Sequence, residues 1–274
     1  MRSRYYRIAV AVWLCASACG NVQKPAGESA GLLPADSLAV HFWDEPSVLR
    51  EPLDSVAAEQ HFADFLGLLL NADADTRTRA VEALMRGARQ QELIEHYADH
   101  YLFDPNSPLR DDGLYIVFAR GMLENYRLDD AARMVLEAKI ENAAKNMPGT
   151  RAADFAYVTR SGDRATLHTT APGRELLLLF YEPDCSNCAA AIERLAADAG
   201  IAHRTDAGTL AVLAVYPDDD TALWQSTAAS LPEGWTVARA ADPDLIADLY
   251  YIAATPSVYL LDADRRVLAK DISP

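Results

Sequence analysis

Leu176-Leu-Leu-Leu-Phe-Tyr-Glu-Pro-Asp-Cys185-Ser-Asn-Cys188-Ala-Ala-Ala-Ile-Glu-Arg-Leu195 decides how this chain folds. Leu176 to Tyr181 form an unbroken apolar run, the pattern of a strand covered on both faces of a parallel or mixed sheet. Pro183 and Asp184 stop the strand, and from Cys188 the alanines, Ile192 and Leu195 take helical spacing. Both cysteines therefore fall at the first turn of a helix, where unpaired N–H groups and the helix dipole favour a thiolate.

A Cys-x-x-Cys pair serves as half of a zinc site, as a structural disulfide or as a redox couple. Zinc asks for about four ligands, and the remaining cysteines, Cys15 and Cys19, lie in an N-terminal leader. No metal is therefore expected. A two-residue spacer at a helix start is the arrangement of exchangeable disulfides, and a redox pair Cys185–Cys188 is the favoured reading over a structural bond.

Arg2, Arg4 and Arg7 precede a short apolar run, Ile8 to Ala16, too brief to span a bilayer. Small residues then lead to Cys19, in a pattern that resembles a bacterial lipobox, although Ala16 stands where leucine is commoner. Residues 1–19 read as a lipoprotein signal, with Cys19 the lipidated residue; plain signal cleavage leaving a free Cys19 is the alternative. Residues 20–50 read as a flexible tether. The formal charge of −15 supplies no basic surface for nucleic acid or anionic lipid.

Residues 51–150 have helical periodicity. Phe62, Phe65, Leu66, Leu69 and Leu70 share one face; Val81, Leu84 and Met85 mark a second helix; Leu93, Ile94, Tyr97 and Tyr101 a third. Leu114, Val117, Phe118 and Met122 mark a fourth, and Met134, Val135 and Ala138 a fifth, with a breaker at Asp104-Pro-Asn-Ser-Pro108. His96 and His100 have ligand-capable spacing but no third ligand, and read as surface histidines. Asp218-Asp-Asp220 reads as the cap of a helix carrying Trp224.

Residues 151–274 change period: short strands about Ser161-Gly-Asp163, the strand and helix quoted above, a strand over Leu210–Tyr216, a helix over Thr221–Ala229, a strand over Trp235–Ala238, a short helix, and a hairpin about Asp262-Ala-Asp264. This predicts a mixed sheet with flanking helices behind a small all-α domain.

The order resembles thioredoxin, with Thr255-Pro256 ahead of Ser257-Val-Tyr-Leu-Leu-Asp262 similar to its cis-proline loop. The long interval from Cys185 to Pro256 resembles the TlpA/ResA group. The resemblance implies an α/β thioredoxin-like fold, Cys185 as attacking thiol, Cys188 as resolving thiol, and Thr255 and Pro256 beside the pair. It implies a thiol–disulfide oxidoreductase of the cell envelope acting on periplasmic protein thiols and disulfides, re-reduced by a membrane electron donor, with no cofactor beyond the disulfide. Asn106-Ser-Pro-Leu-Arg110 and Tyr115 resemble an uncharacterised domain found before thioredoxin domains in envelope lipoproteins, which carries no activity with it. The resemblance implies a further helix after Asp271-Ile-Ser-Pro274.

Three positions depart from the family. Asp184 replaces a common tryptophan, Leu179 a buried aspartate, and Ala191 a glutamate found in many relatives. Glu182 is the nearby substitute base, or else an exposed loop charge. Asp184 and Glu182 are expected to raise the pKa of Cys185 against the helix N-terminus, which makes the couple reducing. The alternative is a peptide-binding lipoprotein whose disulfide is structural. A peroxidase of related fold needs an activated cysteine with a nearby threonine, and no Thr-x-x-Cys precedes Cys185.

Overall fold

The computed structural model describes residues 35–44, 55–87 and 90–272. The leader 1–19 with Cys19, and residues 20–34 and 45–50 of the stretch read as tether, lie outside them. Within that stretch Ala35–His41 (α1) is a helix, which corrects the reading of residues 20–50 as tether throughout. Its Ala39 is buried among Phe62, Phe65 and their neighbours, so packing holds a segment too short to reveal itself by periodicity.

The helical part continues with α2 (Ser55–Leu69), α3 (Ala74–Gly87), α4 (Gln91–Ala98), α5 (Asp112–Asn125) and α6 (Asp130–Ala144). Apolar faces of these helices form one core, in which Phe62, Leu66, Leu84, Tyr115 and Phe118 are buried. In α6 the buried residues are Leu136 and Ala143, whereas Met134, Val135 and Ala138, read as its apolar face, are exposed, which corrects that reading. Capping follows local chemistry. Asp73, Asp111 and Asp129 each accept a backbone N–H from three residues on, at 2.7 to 2.8 Å. The third predicted helix does not run regularly to Tyr101: Asp99–Phe103 forms a π-turn, closed by Asp104 N–H to the Asp99 carbonyl at 2.8 Å.

The remainder is a seven-stranded sheet: β1 (Ala156–Thr159), β2 (Arg164–Thr166), β3 (Glu175–Phe180), β4 (Leu210–Tyr216), β5 (Thr236–Ala240), β6 (Ser257–Leu261) and β7 (Val267–Lys270). Their order is β2-β1-β5-β4-β3-β6-β7. The pairs β3–β4 and β4–β5 are parallel and the others antiparallel. Four helices accompany the sheet: α7 (Ser186–Ala197), α8 (Ala199–Asp206), α9 (Thr221–Ala228) and α10 (Pro243–Leu249). No helix among the described residues is long and apolar enough to cross a membrane.

Strand β3 is buried on both faces, as its apolar run predicts. Leu176, Leu178 and Phe180 enter one core with Phe155, Tyr250 and Tyr259. Leu177, Leu179 and Tyr181 enter the other with Cys188, Leu195 and Trp224. Each buried leucine stabilises by about 1.5–3 kcal/mol relative to exposure, so β3 anchors both layers.

Register then places the site. Phe180, the last residue of β3, pairs with Ser257, the first of β6. The loop leaving β3 and the Thr255-Pro256 segment entering β6 therefore emerge together at one end of the sheet.

Candidate functional site

Cys185 is the N-cap of α7, in extended backbone, and its Sγ accepts the Cys188 N–H at 3.1 Å. Sulfur thus occupies the place where a serine or aspartate oxygen usually satisfies a free helix N–H. On the other side the Cys185 thiol reaches the Thr255 carbonyl at 3.6 Å. The Thr255-Pro256 peptide is cis. Cys185 is half-buried, while Cys188 is fully buried and receives the Glu182 N–H on its sulfur at 3.5 Å. Both stand as free thiols. The structure therefore brings Cys185, Cys188, Glu182, Thr255 and Pro256 to one place.

The two thiols separate in acidity. For Cys185 the largest effect is burial, which raises its pKa. The hydrogen bonds from the Cys188 thiol and N–H, the bond with Thr255 and the Asn187 N–H outweigh it, and the value falls below 9.0. For Cys188 burial dominates and the Cys185 thiol adds to it, raising its pKa to about 11. The expectation that Asp184 and Glu182 would lift Cys185 does not hold. Asp184 is exposed, and local hydrogen bonding decides the direction instead. The carboxylates act on Glu182: burial first, then Asp218 and Asp184, hold its carboxyl above 4.5.

Leu179 is buried beside Cys188 in the same core, so the position beneath the pair that carries a proton acceptor in thioredoxin is apolar here. Glu182 instead borders a cleft of about 570 Å³ with Asp218, Asp244, Tyr251 and Thr255. Of the other clusters singled out, Asp220 caps α9 by accepting the Leu223 N–H at 2.9 Å, as read from sequence. The His96 and His100 rings stack with centroids 6.2 Å apart. Among the described residues no group of three or more His, Cys, Asp or Glu could hold a metal.

Sequence reasoning missed a buried cluster joining the helical part to β7. Lys270 Nζ lies 2.5 Å from Asp112, and Arg110 lies 3.3 Å from Asp112 and 3.1 Å from Asp271. Lys270 also donates to the carbonyls of Ala143 and Lys145. Phe103 stacks on Tyr251 at 5.3 Å.

Residues 31–146 match a domain of unknown function, DUF5106. Over 91% of its length the chain is similar to a thioredoxin-like protein from Bacteroides caccae, at 27% identity, 93% of that chain and a TM-score of 0.82. A conserved protein of unknown function from Bacteroides fragilis is 40% identical over 46% of this chain and 93% of its own, with a TM-score of 0.44. The thioredoxin domain of a thiol-disulfide oxidoreductase from Bacteroides vulgatus is 16% identical over 47% of this chain and 90% of its own, with a TM-score of 0.40. No curated protein matches the chain.

Proposed function

Because the chain is thioredoxin-like and carries a DUF5106 domain ahead of the thioredoxin fold, we propose that it is a thiol–disulfide oxidoreductase exchanging protein disulfides through Cys185 and Cys188. One observation carries this reading: a half-buried Cys185 sulfur at a helix N-terminus with its pKa lowered, one turn from a fully buried Cys188 held as a thiol.

The Cys185 thiolate attacks one sulfur of a substrate disulfide. A Cys185–substrate S–S bond forms, the substrate S–S bond breaks, and the departing thiolate takes a proton. Cys188 then loses its proton and attacks Cys185 Sγ. The Cys185–Cys188 disulfide forms and the second substrate sulfur leaves as a thiolate that is protonated. The substrate gains two electrons and two protons, and the protein loses them. Burial holds the Cys188 thiol in its protonated form, so the second step needs a proton acceptor, and we assign Glu182 to it. Thr255 meets the attacking sulfur through its carbonyl, and Pro256 follows it through a cis peptide.

In this proposal the protein needs no cofactor beyond its disulfide. It works in the cell envelope, lipid-anchored through Cys19, on periplasmic protein thiols and disulfides, and is re-reduced by a membrane thiol donor. The leader at residues 1–19 supports the location, and the acidity of the chain fits a partner other than nucleic acid.

The test is the redox midpoint of Cys185–Cys188, from equilibration with defined thiol buffers and thiol-alkylation mass shifts. A reversible two-electron transition at roughly −180 to −300 mV is expected. The lowered Cys185 pKa stabilises the reduced form and places the couple toward the oxidising end of that range, so a midpoint below about −300 mV would contradict it. A disulfide that resists reduction in the intact fold would overturn exchange altogether and leave a binding protein with a structural bond.

A further inference from the structure

The segment Asn106-Ser-Pro-Leu-Arg110, marked in the sequence but attached to no activity, stands beside Pro256. A groove of about 380 Å³ has Pro105, Asn106 and Pro108 of the helical part as one wall, and Ala254 and Pro256 as the other. Such a volume lies in the range that buries a small ligand. Ala254 and Pro256 flank Thr255, whose carbonyl faces Cys185 Sγ at 3.6 Å, so the groove wall belongs to the segment that meets the attacking sulfur.

The helical wall is built rather than draped. Asp104 accepts the Asn106 N–H at 2.8 Å, Ser107 Oγ donates to the Tyr101 carbonyl at 2.6 Å, and Asp111 N–H donates to the Leu102 carbonyl at 3.2 Å. The Phe103–Tyr251 stack and the Arg110–Asp271 pair tie this loop to both flanks of the segment that carries Pro256.

The lining also states what fits. Its charged groups, Arg110 and Asp271, are paired with each other, and Arg110 is paired again with Asp112. An incoming charge would find no free counter-charge among them and would lose its hydration. The prolines offer apolar surface and no N–H, while Asn106, Ser107 and Ser257 add neutral polar groups, a lining that favours an extended, uncharged chain. Contact area from a neutral flank is rewarded there and a charged flank is penalised.

We propose that the Pro105–Pro108 loop of the helical domain is the second wall of the substrate groove. It receives the extended, uncharged segment flanking the cysteine that Cys185 attacks. This rests on the exchange reading above, and gives the helical domain a part in choosing the substrate.

The experiment compares the purified protein with Asn106→Trp and Pro105→Trp variants, both at exposed loop positions where the new ring fills the groove. Two disulfides are reduced in parallel: 2-hydroxyethyl disulfide, and a short synthetic peptide with alanine, serine and leucine around a disulfide-bonded cysteine. The ratio of peptide rate to small-disulfide rate is expected to fall about tenfold in both variants. Aspartate or lysine in the flanks should slow the peptide on the wild type. An unchanged ratio, or a charged peptide reduced faster, overturns the proposal. Fluorescence anisotropy of the same peptide with serine for cysteine gives a readout without chemistry. If the wild type reduces neither disulfide, the exchange reading falls. The groove then stands only if the wild type binds this peptide and the tryptophan variants bind it about tenfold more weakly; equal or absent binding overturns it.

Discussion

Cys185 Sγ accepts the backbone N–H of Cys188 at 3.1 Å, so the sulfur that attacks also caps the helix that carries its partner. A thiolate accepts that bond better than a thiol, which favours the charged form at Cys185. Alkylation with iodoacetamide, resolved by peptide mass against pH, should show Cys185 reacting first with a midpoint below 9.0 and Cys188 with a midpoint near about 11. Cys188→Ala deletes the thiol donor but keeps the N–H. The Cys185 midpoint should therefore rise in that variant. A fall, or Cys188 reacting first, contradicts the arrangement.

The division of labour between the thiols predicts different traps. Cys188→Ser should accumulate a mixed disulfide between Cys185 and a protein substrate on non-reducing gels, because the bond forms and cannot be resolved. Cys185→Ser should accumulate none. Glu182→Gln keeps the N–H that reaches Cys188 and removes the carboxylate. If that carboxylate takes the Cys188 proton, the resolving step slows by about 10²-fold and its rate loses the inflection of a carboxyl held above 4.5. An unaltered pH profile would assign the proton to solvent.

What was legible in the sequence followed from burial. Strand β3 and the start of α7 announce themselves because an unbroken apolar run leading into alanines fits few other structures. The register of Phe180 with Ser257 then delivers Thr255-Pro256 to Cys185. Helix α8 was invisible: Ala-Gly-Ile-Ala-His-Arg-Thr-Asp has no buried residue and so no apolar period, and only the Asp198 cap at 2.8 Å to Ile201 N–H signals it. The π-turn at Asp99–Phe103 has no period to read. The Arg110–Asp112–Lys270–Asp271 cluster joins residues distant in sequence, and charge alone does not say which partners meet. The direction of the Cys185 shift was misread for a related reason. Neighbouring carboxylates are visible in a sequence, but the hydrogen bonds that outweigh burial need coordinates.

Arg265 is a buried arginine at φ +65 whose guanidinium donates to the carbonyls of Leu167, Arg174, Thr170 and Asp262. It stitches the turn before β7 to the segment before β3. Truncation takes the donor from the buried Thr170 carbonyl, at about 1–3 kcal/mol, while the Leu167 and Asp262 carbonyls keep the N–H groups of Thr170 and Arg265. Arg265→Ala should lower unfolding free energy by about 1–3 kcal/mol, measured by urea denaturation. A loss below about 1 kcal/mol would mean that water replaces the guanidinium.

Lys270 and Asp112 form a pair with both side chains almost fully buried, 4% and 6% exposed. Removing one partner strands the other charge. Lys270→Met should therefore cost about 3–5 kcal/mol, while Lys270→Met with Asp112→Leu should cost much less. The comparison is a double-mutant cycle in urea, and additive losses would deny the coupling.

Asp271 offers the pH test of the same cluster. Burial is the largest influence on its carboxyl and raises its pKa above 3.8; Arg110 and Lys270 pull it back, and Asp112 adds to the rise. Folding therefore favours the neutral acid. The stability contributed by this group is fully present below its unfolded value of about 3.8 and is lost as pH rises through the higher folded value. Asp271→Asn stays neutral at every pH and does not lose it. The Tm of the variant minus that of the wild type should increase as pH is raised from below 3.8 toward neutrality, and then level off. A difference that shrinks over the same window would mean that the Arg110 and Lys270 charges outweigh the burial of Asp271. The ion pairs, rather than the desolvated acid, would then set the pH response of this cluster.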